Sequence, residues 1–270
     1  MRDLEQFDAV ARDIDSLRRL NDKRKYLITL GDMAWDAYWN KFNLNDYLAL
    51  MNSKFPSGIQ FFHTIGNHDH ELREGLSGDI KTVDTYKKIL GPTYYSFNIG
   101  GVHFVVLDNI VCRNAGTQRA SSNSITAEQM NWLKKDLAEV PASTTVVLTM
   151  HAPLHSASGS SVTSNADECV RILNGHKNAI VASGHFHTTH NLSYTGLYEM
   201  CCGAVCAAWW TTGYDWPGLH MCSDGAPGGY KVMNISGGAV KDWYYKAAGH
   251  PGDFQFRLYD RNCININADI

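Results

Sequence analysis

Four short polar segments each follow directly on an apolar run, and this placement constrains the fold more than any other feature of the chain. Gly31-Asp32 follows residues 25–30, and Gly66-Asn67-His68-Asp69 follows 59–64. His151 follows 145–150, and Gly184-His185-Phe186-His187 follows 179–183. Each run is short and apolar, as a buried strand is. Between the runs, residues 2–20, 43–53, 80–90 and 165–174 read as helices. The first carries Phe7, Val10, Ala11, Ile14 and Leu17 on one face. Strand–loop–helix units predict an α/β fold with helices over the sheets. Open α/β sheets place their sites at the carboxyl ends of strands, so segments far apart in sequence are expected to converge there.

Other local signals agree. Gly100-Gly101 between 94–99 and 102–108 reads as a two-residue hairpin turn. Thr126 with Gln129 fits a capping box, and Met130, Leu133 and Leu137 stripe the helix that follows. Beyond residue 190 helical periodicity gives way to Gly, aromatic and β-branched residues, with strands expected at 229–235, 240–245 and 254–259. The expected division is a catalytic part over 1–195 and a β-rich part over 196–270.

With 270 residues, 44% of them hydrophobic, there is material for one large core. A net charge of -3 offers no basic surface for nucleic acid. No apolar run reaches the roughly 18 residues of a membrane span. Residues 1–20 carry too many charges for a signal peptide, so the sequence as written reads as cytoplasmic; an upstream start would change that to periplasm or cell surface. The seven cysteines are odd in number and lack a C-x-x-C pair, which argues against a disulfide framework or a structural zinc site. Cys201, Cys202 and Cys206 lie in an apolar stretch and read as small buried residues.

The polar segments supply a carboxylate (Asp32), an amide oxygen (Asn67) and the imidazoles of His151, His185 and His187, with His68 beside them. Any one alone reads as a turn or a loop histidine. Together they suit Mn, Zn or Fe, because imidazole selects such metals over Mg or Ca.

The order G-D, G-N-H-D, H and G-H-x-H resembles the calcineurin-like metallophosphoesterase superfamily. The flanks Gly31-Asp32-Met33-Ala34-Trp35-Asp36, Tyr94-Tyr95-Ser96-Phe97-Asn98 and Ala207-Ala208-Trp209-Trp210 are similar to a bacterial subgroup with an additional C-terminal β domain. The resemblance implies a four-layer α-β-β-α sandwich whose second sheet is completed by the C-terminal part. It implies that Asp32 bridges two metals, that Asn67, His151 and His185 complete the second site, and that His187 binds the first. His68 would be the general acid or charge stabiliser, held by Asp69. Hydrolysis by a metal-bridging hydroxide would follow, on a small phosphomonoester or phosphodiester.

The family's opening Asp-x-His is absent: residues 1–31 contain no histidine, and the first in the chain is His63. The expected consequences are a missing first strand, an incomplete first metal site and reduced activity. The exposed sheet edge would suit a homo-oligomer. The other reading is a non-catalytic module that binds a phosphate ligand, or an inactive remnant. Trp209 and Trp210 are candidates for substrate contact or for packing between the two parts, and His70 for substrate contact or a loop role.

Overall fold

The computed structural model describes residues 4–20, 22–34, 42–55, 58–71, 78–113, 120–194, 196–205, 222 and 224–254. They form α1 (Leu4–Leu20), β1 (Tyr26–Ile28), α2 (Leu44–Lys54), β2 (Gln60–Phe62), α3 (Asp79–Thr82), α4 (Asp84–Leu90), β3 (Tyr95–Ile99), β4 (Val102–Val106), β5 (Ile110–Cys112) and β6 (Ser121–Asn123). They continue with α5 (Ala127–Ala138), β7 (Thr145–Thr149), α6 (Ala166–Leu173), β8 (Asn178–Ser183), β9 (His190–Tyr194), β10 (Leu197–Cys201), β11 (Gly229–Ser236) and β12 (Ala239–Ala247).

The main sheet has six strands in the order β3-β4-β7-β8-β10-β9. The inner four run parallel, and β3 and β9 are antiparallel at the two edges. Parallel strands need cover on both faces, which is why β4 and β7 are mostly apolar and buried at every residue. The β3–β4 hairpin turns through Gly100 and Gly101, both at positive φ, as its two-residue loop demands.

Alternation within these strands splits the core in two. Val105, Val146, Leu148, Ala179, Val181 and Leu197 face α5 and α6, meeting Met130, Leu133, Leu137, Cys169 and Leu173. Val102, Phe104 and Val147 face the other way, toward Ile28 of β1 and Met233, Ile235 and Val240 of β11 and β12. Those strands form a second layer, and α1, α2 and α4 cover its far side through Val10, Ile14, Leu44, Met51 and Tyr86, packed with Leu27, Phe61 and Tyr230. The result is a mixed α/β fold with a large central sheet and a β-rich C-terminal part.

The second layer is in two pieces. β1 and β2 pair in parallel, β11 and β12 pair antiparallel, and no ladder joins the two pairs among the described residues.

Two hairpins were not expected from the sequence. β5–β6 is short and polar on β6, and β9–β10 turns at Gly196 to close the main sheet. β10 thus belongs to the first sheet, although it lies in the segment expected to complete the second. Of the strand expected at 254–259, Phe254 is outside any strand and the rest lies outside the described residues.

Candidate metal centre

All four polar segments lie just past the carboxyl ends of their strands: β1 and β2 in the second layer, β7 and β8 in the main sheet. His151 is the hub. Its Nε2 lies 3.2 Å from Asp32 Oδ2, 3.0 Å from Asn67 Oδ1 and 3.0 Å from His185 Nδ1. Its Nδ1 donates to the Leu30 carbonyl at 2.6 Å, which orients the ring and aims Nε2 at the cluster. Among the described residues, Asp32, His151 and His185 are the group of carboxylate and imidazole donors whose ligand atoms all lie within 4.8 Å of one another.

The donors fit a metal. Ligands at about 2.0–2.2 Å from one ion stand about 3 Å from each other, which is the distance of the other three donors from His151 Nε2. A histidine ligand whose second nitrogen donates to a carbonyl is the usual arrangement at such centres.

The backbone is strained at this one place. The non-glycine residues at positive φ among those described are Asp32 (φ 57), His185 (φ 70) and His187 (φ 54). Each costs about 1–3 kcal/mol, which an ordinary turn would avoid by using glycine. The two glycines of the loops meet the cluster from behind. A Cβ on Gly31 would come within 2.4 Å of His151 Nδ1, and one on Gly66 within 2.3 Å of the Asp32 amide nitrogen. Only glycine admits this approach.

Asp69 locks the two second-layer loops together. One oxygen accepts from the amides of Asp32 (2.9 Å) and Gly66 (2.8 Å), the other from Ala34 (3.0 Å). These bonds hold the two ligand loops together. Burial, then the nearby Asp32 carboxylate, push its carboxyl up to about 7 against the amides of Gly66 and Ala34. Burial also opposes ionisation of Asp32, yet the His151 ring beside it holds that carboxyl well below the usual range. For His151 burial works downward too, but Asp32 and the Leu30 carbonyl raise it overall. His185 is pushed down to about 4 by burial and by the neighbouring His151.

His68 is half-buried, and its amide donates to Asp32 Oδ1 at 2.9 Å. His187 shares the strained turn with His185 but stands outside the tight group. His70 is turned inward: it is 0% exposed, and its Nδ1 is 2.9 Å from Thr82 Oγ1. Trp209 and Trp210 lie outside the described residues.

A residue the sequence did not single out is Asn109, fully buried just beyond β4. Its amide donates to the Ala152 carbonyl (2.7 Å) and accepts from the Ala152 N–H (3.1 Å), holding the residue after His151 by both of its backbone groups.

A model described as calcineurin-like phosphoesterase matches residues 3–189, and one described as the C terminal of calcineurin-like phosphoesterase matches 199–269. The chain belongs to the calcineurin-like phosphoesterase family. Among its relatives in the family, purple acid phosphatase 15 of Arabidopsis thaliana is 32% identical over 189 residues, 63% of this chain and 31% of that protein. Purple acid phosphatase 23 of the same plant is 35% identical over 190 residues, 63% of this chain and 36% of its own length. The serine/threonine-protein phosphatase CPPED1 of Pongo abelii is 24% identical over 249 residues, 86% of this chain and 71% of that protein. The chain thus spans about a third of the length of the two plant phosphatases. Metal use is general to this family, and the cluster on Asp32, His151 and His185 is the set of residues suited to it here.

Proposed function

We propose that this phosphoesterase chain hydrolyses a small phosphomonoester or phosphodiester with a divalent transition metal (Mn, Zn or Fe) held by Asp32, Asn67, His151 and His185. The observation that carries the reading is the convergence of these donors on His151 Nε2 at 3.0–3.2 Å. When bound, the metal supplies Lewis acidity toward a phosphoryl oxygen and lowers the pKa of water. The protein's own residues do the rest. Asp69 keeps the Asp32 and Gly66 loops in register. His68 is tied to Asp32 through its amide and is half-buried, and it is proposed to give a proton to the leaving oxygen. Burial lowers its pKa against the pull of Asp32.

Asp32 and His187 are proposed to take part in holding a second ion. Trp209 and Trp210 are the proposed contacts for the organic part of the substrate.

The test is turnover of a chromogenic phosphomonoester and a phosphodiester with Mn or Zn added. Loss of turnover in both Asn67→Ala and His68→Ala supports the proposal. Turnover indifferent to metal and to both changes would sink it, and ligand binding without turnover would favour a non-catalytic phosphate-binding module.

A further inference from the structure

β10 supplies none of the candidate ligands, yet it grips two of the loops that do. It runs parallel beside β8, with Glu199 opposite Val181 and Cys201 opposite Ser183. Glu199 and Cys201 are two residues apart, so their side chains leave the same face of the strand. Both are 0% exposed.

Each holds a different loop. Glu199 Oε1 accepts from the amides of Leu154 (2.6 Å) and His155 (3.1 Å), and Oε2 lies 3.0 Å from His155 Nδ1. These residues follow His151 in its loop, where Pro153 has no N–H of its own to tie down. Cys201 Sγ donates to the Gly184 carbonyl at 3.2 Å, on the residue just before His185. The Phe186 amide, just after His185, donates to the same Gly184 carbonyl at 2.8 Å. The thiol therefore grips the turn that carries the strained His185.

A fully buried carboxylate is an expensive way to fill a sheet. Apolar residues of similar volume usually stabilise a core as well or better. Its geometry makes sense if the shape of the 151–155 loop matters more than the stability of the strand.

We propose that Glu199 and Cys201 are positioning residues: through them β10 sets the separation of the His151 and His185 imidazoles, and so the affinity of the centre for its metal. This rests on the metal-site reading above. Neither residue touches the ion. They act through the loops, as the outer partners of metal ligands do.

The experiment is calorimetric titration of metal-free protein with Mn(II) and Zn(II), beside urea unfolding of the same metal-free samples. Cys201→Ala and Glu199→Gln are each expected to weaken binding about tenfold, the lower end for such partners. Cys201→Ser keeps a donor toward Gly184 and is expected to recover most of the loss. The metal-free unfolding midpoints of the two Cys201 variants should match. Wild-type affinity in Cys201→Ala and Glu199→Gln would overturn the proposal, as would affinity that simply follows the metal-free midpoint across all variants. Should Glu199→Gln fail to fold, the two Cys201 variants decide alone. Absence of binding by the unaltered protein would instead overturn the metal-site reading itself.

Discussion

The main sheet and the second layer each carry two of the four proposed metal ligands and are built very differently. β4 and β7 are buried at every residue. β1 is half-buried throughout, and so are six consecutive residues of β11. The main sheet presents His151 and His185 from a continuous parallel ladder, supported by Asn109, Glu199 and Cys201. The second layer presents Asp32, Asn67 and His68 from a pair of three-residue strands. A metal bound between them joins a well-packed half to a loosely packed one. Its ligands come from both sides, so binding should order the weaker side more than the stronger.

The largest effect should come from the hub. His151→Ala removes the atom on which the other three donors converge and is expected to abolish measurable Mn or Zn binding, with turnover falling at least 100-fold. Metal addition is the complementary test. At a free concentration 100 times Kd, an ion that binds only the folded state adds about 2.7 kcal/mol. Hydrogen exchange should show the added protection over 26–32 and 60–68 rather than over 145–149. Equal protection in both sheets would break the comparison.

Core truncation should separate the layers next. Leu148 is 0% exposed in the main sheet, whereas Leu27 is half-buried in the second layer. Leu148→Ala should cost about 3–5 kcal/mol, since the cavity lies in a tightly packed core. Leu27→Ala should cost roughly 1–2 kcal/mol, because part of its surface already meets water. Urea midpoints of the two variants in metal-free protein measure the difference.

Acid should find the second layer as well. Burial pushes His63, which lies just past β2, down to about 4. A histidine whose folded pKa lies below its unfolded value takes up a proton more readily when unfolded. Its contribution to stability is intact above the unfolded pKa, near 6.5, and is lost as pH falls from there toward 4. His63→Phe keeps the stacked and edge contacts with Phe61 and Tyr47 but cannot titrate. The variant should lose less stability than the unaltered protein between pH 6.5 and 4. Parallel acid limbs would show that His63 is not the sensor.

What the sequence revealed follows the same divide between local and distant causes. The four ligand segments were legible because each is a polar break after an apolar run. The helices were legible from their stripes. The β9–β10 hairpin was not: 190–201 lacks the turn dipeptides and clean alternation that announce one. The loop-holding bonds of Asn109, Asp69 and Glu199 were also hidden. Each bonds backbone groups more than 30 residues away, as Asp69 does with Asp32 and Ala34, and backbone partners leave no residue pattern to read. The positive φ at Asp32, His185 and His187 is set by the tertiary packing of the loops, since glycine is the residue that adopts it most freely.

The smallest expected effect concerns how the C-terminal hairpin is tied to the rest. Lys246 of β12 reaches Asp13 of α1 at 2.9 Å and also donates to the carbonyls of Ala247 and His250. Both charged groups are mostly buried, at 12% and 21% exposed. Lys246→Met keeps most of the stem and removes the donors, leaving Asp13 without this cation. A surface pair would be worth well under 1 kcal/mol; this one, with two further acceptors, should cost about 1–2 kcal/mol. The double variant Lys246→Met with Asp13→Asn tests whether the loss belongs to the pair. If it does, the second change should cost little once the first is made. Because the tie joins α1 to β12 and touches neither β1 nor the ligand loops, Mn affinity should stay unchanged. A drop in affinity would mean that the two pieces of the second layer move as one, and the contrast between the sheets would then lie in their packing alone.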